Sequence, residues 1–431
     1  MPNTEYHPID LQSVKGTRDF YPEQMKIRNW LFTIWRNTAL QFGFEEYDAC
    51  VLEHAELYTR KAGDEITEQL YSFHDKGGRL LSLRPEMTPS LARMVLQRQK
   101  ALSFPLKWFS IPQCFRYERM TRGRRREHFQ WNADIIGQPA EVAEAEIFSL
   151  LLMSCENMGL TSRDIRVFVN DRRILNAILS RINVPDQQQN QVMIVMDKRD
   201  KLPADAFAEM LQQQQMTAAQ VEQLNDFLSC QSMEELAVEM GDSTGLTSLR
   251  QVMEMVAKSG FGDYLQFDVS IVRGLSYYTG TVFEMNVMDK SQRAICGGGR
   301  YDSLLSTYGG DSVPAVGFGF GDVVILDVLS DLKKLPSFDN QLEYMVIPFS
   351  SEEIGMAVSI SNQLRHKGKS VECDCSLKKV KKALQRADEL KVQTVVLLFP
   401  DELAVGEVVL RDMKTRQQEN MTITRLIENA I

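Results

Sequence analysis

Two apolar runs, Trp108 to Tyr117 and Phe129 to Ile136, flank a loop dense in arginine, and this arrangement restricts the fold more than any other stretch of the chain. Runs of that length with alternating apolar positions read as two strands of a buried sheet, joined through the loop. Arg116, Arg119, Arg122, Arg124, Arg125 and Arg126 place six guanidinium groups within eleven residues. The chain as a whole has a formal net charge of −9, so solubility gives no reason for such crowding. An anionic ligand gives one, because the planar fork of arginine matches phosphate better than a point charge does. On the outgoing strand Gln130 and Asp134 stand among apolar neighbours, where an unpartnered polar group costs free energy. A ligand is one partner that would offset that cost.

A length of 431 residues with 44% hydrophobic content is enough to bury a sizeable core in two or three domains. No run of eighteen apolar residues occurs, and Met1-Pro-Asn-Thr-Glu-Tyr6 lacks both a charged leader and an apolar one, so the chain reads as soluble and unsecreted. The seven cysteines are odd in number and scattered, without a C-x-x-C pair, which fits free thiols in a reducing cytosol. Cys373-Asp-Cys375 lies on a predicted strand and reads as packing rather than as a metal site. Charge is uneven along this acidic chain: residues 107–126 carry seven Lys or Arg against one Glu, and residues 363–391 carry nine against four acidic groups. Two separate basic segments suit a polyanionic partner that touches the protein at two places, as a tRNA would.

Periodicity organises the rest. Ile27, Leu31, Ile34, Trp35 and Thr38 follow helical spacing from Pro22 to about Phe42, and Gly43 ends the run. A strand is expected from Glu45 to Leu52, and another from Leu80 that stops at Thr88-Pro89, read as an N-cap and N1 proline opening a helix to about Lys100. Pro139 is expected to open a long helix to about Met158. Residues 171–260 are Gln-rich with helical periodicity and read as a helical insertion, after which strand patterns return from Leu265 to about Leu329. Residues 333–340 read as a linker. Beyond it a βαβαβ order is expected: Met345 to Pro348, a helix opened by a Ser350 to Glu353 capping box and ending near Gly368, Val371 to Cys375, a basic helix capped by Ser376, and Thr394 to Phe399.

Phe115-Arg-Tyr-Glu-Arg119, the basic loop and His128-Phe-Gln130 closely resemble motif 2 of the class II aminoacyl-tRNA synthetases. Arg273-Gly-Leu-Ser-Tyr-Tyr-Thr-Gly-Thr-Val-Phe-Glu284 resembles the R-G-L-D-Y-Y-T-G-T-V-F-E signature of the histidyl-tRNA synthetases, differing only at Ser276 across twelve positions. A strand pair turned at Thr279-Gly280 is the plain structural account of that segment. Three further segments match the same family in the same order: Val14-Lys-Gly-Thr-Arg-Asp-Phe20, Arg84-Pro-Glu-Met-Thr88 and Gly297-Gly-Gly-Arg-Tyr-Asp302. The last is not a P-loop, since no G-K-[ST] follows. The resemblance covers almost the whole chain.

The resemblance implies an α+β fold: a class II antiparallel-sheet catalytic domain in two parts, residues 1–170 and 261–332, interrupted by the helical insertion at 171–260 and followed by an α/β anticodon-binding domain at 341–431. It implies ATP with bound Mg²⁺, L-histidine and tRNA(His) as ligands, a cytoplasmic homodimer and no membrane partner. By family correspondence Arg116 and Arg273 are the catalytic cations at the α-phosphate, joined around ATP by Glu118, Arg124 and Arg126. Glu86, Thr88, Gln130, Asp134, Tyr277 and Tyr278 would bind histidine, whose imidazole offers one donor and one acceptor to hydroxyls and a carboxylate. No metal-ligating motif accompanies them. Joining a carboxylate to ATP needs alignment and charge neutralisation more than acid–base help, which agrees with five histidines in no catalytic pairing.

Two positions depart from the pattern. Motif 3, G-F-x-x-G-x-E-R-L in the class, reads Gly317-Phe-Gly-Phe-Gly-Asp-Val-Val324-Ile here, so Val324 stands where the class has an arginine on ATP; Arg124, Arg126 and Arg300 are the expected substitutes. Motif 1 has Ala49-Cys50 where a proline is usual. The alternative to a ligase is a histidine-sensing regulatory subunit of the ATP phosphoribosyltransferase type, favoured by Val324 but opposed by the C-terminal domain, which such paralogues lack. A synthetase for threonine, proline or glycine is disfavoured by the Arg273 to Glu284 segment.

Overall fold

The computed structural model describes residues 10–60, 67–199, 202–241, 243–273, 277–289, 291–338 and 342–430. Residues 1–335 and 336–431 form two compact units. The first contains strands β1 (Glu45–Glu46), β2 (Leu52–His54), β3 (Ser72–His74), β4 (Leu80–Leu83), β5 (Leu106–Ser110), β6 (Gln113–Phe115), β7 (Glu127–Ile136), β8 (Ile165–Asp171), β9 (Leu265–Phe267), β10 (Thr281–Val287), β11 (Cys296–Arg300) and β12 (Ala315–Gly321).

Its main sheet runs β1-β5-β7-β12-β11-β10-β8-β9, with β6 on the side of β7, while β2, β4 and β3 form a small second sheet. Only the outermost described pairs of the main sheet, β1 with β5 and β8 with β9, are parallel; the central pairs are antiparallel. This is the expected α+β architecture.

Alternation along the central strands makes two different faces. Trp131, Ala133 and Ile135 of β7, Val316 and Phe320 of β12, Phe283 and Met285 of β10, and Val167 and Val169 of β8 are fully buried in one core. The helices Pro22–Gln41, Val142–Asn157 and Thr244–Lys258 contribute Leu31, Trp35, Phe148, Leu151, Leu249 and Val252 to it. Trp35 lies 5.8 Å from Trp131 and 5.2 Å from Phe320, ring centre to ring centre, so the first helix is pinned by aromatic packing. Each such burial contributes about 1.5–3 kcal/mol. The opposite face of β7, β11 and β12 carries polar side chains and glycines.

Several boundaries differ from the sequence reading. The expected strand from Glu45 to Leu52 ends after two residues, because Asp48 and the Ala49 carbonyl turn aside to accept from the buried Arg84 guanidinium, both at 2.8 Å. The incoming hairpin arm is split into β5 and β6 at Pro112, which has no N–H for a ladder, although its carbonyl accepts from Gln130 N at 3.0 Å. Thr88 is the first helical residue rather than the cap, in a helix Thr88–Arg98. The helix after Pro139 begins only at Val142, since Glu141 takes φ +68. Thr279-Gly280 turns no hairpin: Thr279 N donates to Arg300 O and Gly280 O accepts from Arg172 N, fastening the segment to β11 and the start of the insertion. The stretch expected as a helical insertion holds six helices among the described residues, from Arg172–Arg181 to Thr244–Lys258.

In the second unit, β13 (Tyr344–Pro348), β14 (Val371–Cys373), β15 (Thr394–Leu398), β16 (Glu407–Asp412) and β17 (Gln418–Thr422) form a sheet of order β14-β13-β15-β16-β17. The expected βαβαβ part is parallel, and β16 and β17 extend it antiparallel. Both faces are covered: Val346, Val396 and Leu398 pack with Ile360 and Leu426, while Met345, Ile347 and Val395 pack with Ala383 and Ala387. Ser376 caps no helix, because Leu377 takes φ +51 and the basic helix starts at Val380. Glu353 does accept from Ser350 N at 2.7 Å, yet the helix begins at Ile354, three residues later than a box capped by Ser350 would open it. Among the described residues no helix is long and apolar enough to cross a membrane.

Candidate active site

The non-core face of the main sheet forms a floor of bare backbone. A Cβ at Gly317 would fall 2.2 Å from Asp134 Oδ1, one at Gly319 2.6 Å from Gln130 Nε2, and one at Gly297 2.2 Å from Arg273 Nη1. These glycines therefore let three polar side chains lie flat on the strands beside them. Above the floor is a cavity of about 250 Å³, bounded by Glu86, Thr88, Gln130, Asp134, Tyr277 and Tyr278, with Arg116 and Arg273 at one side. A second cavity of about 260 Å³ adjoins it through shared Arg116, Glu118, Arg124 and Arg273.

The two arginines are positioned by different segments. Arg116 leaves β6, with its Nε donating to Pro85 O at 2.9 Å and its backbone N to Arg126 O at 2.9 Å. Arg273 takes φ +56 and donates from Nη1 to Glu284 of β10 at 2.8 Å. Burial opposes its charge most strongly, but Glu284, Tyr278 and Tyr277 together outweigh burial and raise its pKa above the ordinary arginine value. Arg124 forms an ion pair with Glu118. Cations thus converge on the junction of the cavities from segments far apart in sequence, each steered by a carboxylate or carbonyl.

The first cavity is lined by neutral donors and raised carboxyls. Burial raises the Tyr277 and Tyr278 hydroxyls, so both stay protonated, and their rings lie 4.9 Å apart. Glu86 is raised by burial, an effect opposed first by the Arg116 charge and then by the Tyr277 hydroxyl. Burial also raises Asp134, to about 7, against a hydrogen bond donated by the Tyr301 hydroxyl to Oδ1. Its Oδ2, like Asn132 Oδ1, is buried without a partner among the described residues. Two orphaned acceptors in one cavity are an unmet demand for donors. In the second cavity, burial and the charges of Arg116 and Arg18 depress His128 to about 3, so it presents a neutral imidazole.

Ten of the eleven expected site residues line one or both cavities. Arg126 lines neither; its guanidinium sits 3.9 Å over the Tyr117 ring and Nε donates to Glu118 O. Arg300, expected as a substitute for the motif 3 arginine, is buried on the core side in ion pairs with Glu144 and Asp302. Ser276 lies outside the described residues. Tyr301, Asn132, Glu284 and Arg293 line the cavities without having been expected there. A signal for Tyr301 was present: counting by twos along β11 from Gly297 reaches Gly299 and Tyr301 and passes over Arg300. The N-terminal segment acts outside the cavities, as Arg18 reaches Asp322 at 3.0 Å and Glu127 at 3.3 Å and ties the chain start to β7 and the end of β12.

Comparison with known proteins bears on this geometry. Over 97% of this chain and 86% of its relative, the sequence is 43% identical to the histidine–tRNA ligase, chloroplastic/mitochondrial, of Arabidopsis thaliana. It is 38% identical to the histidine–tRNA ligase of Opitutus terrae over 95% of each chain. The fold matches the crystal structure of histidyl-tRNA synthetase from Nostoc sp. PCC 7120 with a TM-score of 0.80 at 21% identity, covering 98% of this chain and 99% of that one. Residues 343–430 match the model of the anticodon binding domain. Residues 16–321 match that of histidyl-tRNA synthetase, and the chain belongs to this family.

Proposed function

We propose that this chain is a histidine–tRNA ligase, which joins histidine to ATP as histidyl-adenylate with release of pyrophosphate and then transfers the histidyl group to the terminal ribose of tRNA(His). The observation that carries the reading is the meeting of Arg116 and Arg273 at the junction of two cavities, one floored by glycine and walled by tyrosines and carboxyls, the other cationic.

In this reading the substrate carboxylate lies at the junction. One carboxylate oxygen attacks the α-phosphorus, the bond to the β-phosphate bridging oxygen breaks, and pyrophosphate leaves. Arg116 and Arg273 hold the α-phosphoryl oxygens and screen the charge that builds there, a role that rigid, preorganised donors perform well. Glu284 and the Pro85 carbonyl keep the two guanidiniums aimed. Glu86, Thr88 and Gln130 orient the amino acid, and Asp134, aimed by Tyr301, meets a donor of the substrate with its unpartnered oxygen. Protonated Tyr277 and Tyr278 supply hydroxyls to the ring side. A side chain without a matching donor and acceptor would leave these buried groups unpaired, which is the strongest basis for rejection.

Glu118 and Glu284 would hold the Mg²⁺ brought with ATP, which would supply positive charge to offset that of the leaving group. Glu118 and Glu284 are the carboxylates lining the second cavity, and one or two carboxylates with substrate phosphates are enough for this ion. Among the described residues no cluster of three His, Cys, Asp or Glu is placed to hold a metal by protein ligands alone. The same proposal takes residues 1–170 and 261–332 as the catalytic domain, 171–260 as its insertion and 341–431 as the anticodon-binding domain of a cytoplasmic homodimer. Lys378, Lys379, Lys381 and Lys382, exposed at and before the helix Val380–Glu389, are its candidate RNA contacts.

ATP–pyrophosphate exchange with each of the twenty amino acids tests the reading. Exchange with histidine alone is expected. Histidine binding without exchange would instead support the regulatory-subunit reading that Val324 favours, and exchange with another amino acid would overturn the specificity.

A further inference from the structure

The second cavity has a charge surplus that the first does not explain. Arg116, Arg124, Arg125, Arg273 and Arg293 face Glu118 and Glu284 across it, five guanidiniums against two carboxylates. Both carboxylates are already engaged, Glu118 with Arg124 and Glu284 with Arg273. Arg116, Arg124 and Arg273 also line the first cavity, whereas Arg125 and Arg293 line only the second. These two therefore mark its far part, away from the amino-acid pocket.

Arg293 is the better placed of the two. It sits in the connection between β10 and β11, exposed at the cavity rim, near the space above Gly123, where a Cβ would come 3.2 Å from Val324 Cγ2 and 3.9 Å from Arg293 Cδ. The connection is held on both sides of Arg293. Gln292 Nε2 donates to Asp331 Oδ2 at 2.7 Å, and Ile295 N donates to Met285 O at 2.7 Å. Asp331 Oδ2 also receives Arg122 Nη2 at 2.5 Å, so one carboxylate fastens the arginine loop to the connection carrying Arg293. Partial burial and the neighbouring Arg124 charge push the Arg293 pKa below the ordinary arginine value, as expected for a cation among cations awaiting an anion. Val323, Val324 and Ile295 supply an apolar wall beside it.

Resting on the proposed function, we infer that Arg293 binds the β- and γ-phosphates of ATP and the departing pyrophosphate, as the cation of the cavity end where Val324 presents only methyl groups. Its guanidinium neutralises charge that Arg116 and Arg273, occupied at the α-phosphate, leave unscreened.

The test uses the full chain with Arg293→Ala and Arg293→Lys. In histidine-dependent exchange, Arg293→Ala is expected to raise KM for ATP and for pyrophosphate by roughly tenfold or more, the loss of one charge-assisted phosphate contact. KM for histidine, inhibition by AMP, and transfer from preformed histidyl-adenylate to tRNA should stay within about twofold of the unsubstituted chain, and Arg293→Lys should recover part of the loss. Thermal melting and direct ATP and AMP binding by calorimetry accompany the kinetics. Unchanged KM for ATP and pyrophosphate would overturn the inference, as would equal weakening of AMP and ATP, which would move Arg293 to the nucleoside. If the unsubstituted chain shows no histidine-dependent exchange, the proposed function fails, and the inference is then decided by whether Arg293→Ala weakens ATP binding while sparing AMP.

Discussion

Gly297→Ala separates site geometry from fold stability more cleanly than removal of any charged residue. The three heavy atoms nearest to a new Cβ all belong to the Arg273 guanidinium, at 2.2, 2.4 and 2.7 Å. Ordinary contact begins at 3.4 Å, so the guanidinium must retreat by about 1.2 Å, the difference between 3.4 and 2.2 Å. Being the far end of a flexible side chain, it can do so at little cost to the sheet. Displacement by about 1 Å is enough to lower a rate by roughly 10²-fold, or about 2.7 kcal/mol of barrier. The expected result is a normally melting protein whose histidine-dependent exchange falls by about two orders of magnitude, with transfer from preformed adenylate less affected. Gly298→Ala is the contrast: its Cβ would fall 2.2 Å from Gly317 O and 2.7 Å from Phe283 Cζ, and backbone cannot step aside, so that variant should lose stability. A Gly297→Ala protein with wild-type exchange would refute the placement of Arg273 at the reacting phosphate.

Other perturbations address separate parts of the molecule. Arg18→Ala strands the buried Glu127 and Asp322 and should cost about 3–5 kcal/mol in urea unfolding; an unchanged midpoint would show that the N-terminal clamp contributes nothing. Asp134, raised by burial to about 7, keeps a proton in the folded chain that an unfolded carboxyl releases near pH 3.9. Between roughly pH 4 and 7 its contribution to stability therefore falls as pH rises, by up to about 1.4 kcal/mol per pH unit, and it levels off above the folded value. Asp134→Asn should remove that slope, and parallel pH profiles of the two proteins would exclude the effect. Deleting residues 341–431 should depress tRNA charging far more than exchange, whereas equal loss in both assays would count against an anticodon role.

The central strands were legible because burial imposes a period of two. Trp131, Ala133 and Ile135 enter the core while Gln130 and Asp134 face the cavity, as their alternation in the hairpin arm implied. Helix starts were less legible. Ser376 has the composition of a cap, yet the local backbone at Leu377 is left-handed, and nothing in the side chains announces it. Arg300 and Tyr301 are neighbours in one motif, but strand geometry sends them to opposite sides, and motif matching carries no information about side. Arg293 stands outside every recognised motif; the tie of two connections to Asp331 helps bring it to the rim of the second cavity.

The glycine floor has a consequence for altering the preference of this pocket. Gly297, Gly317 and Gly319 offer no room to install new recognition chemistry, because any added atom collides with a neighbour already in use. Redesign toward a different amino acid is thereby confined to the pocket's perimeter, to Glu86, Asp134, Tyr277 and Tyr301, and must proceed by exchanging the groups that are there.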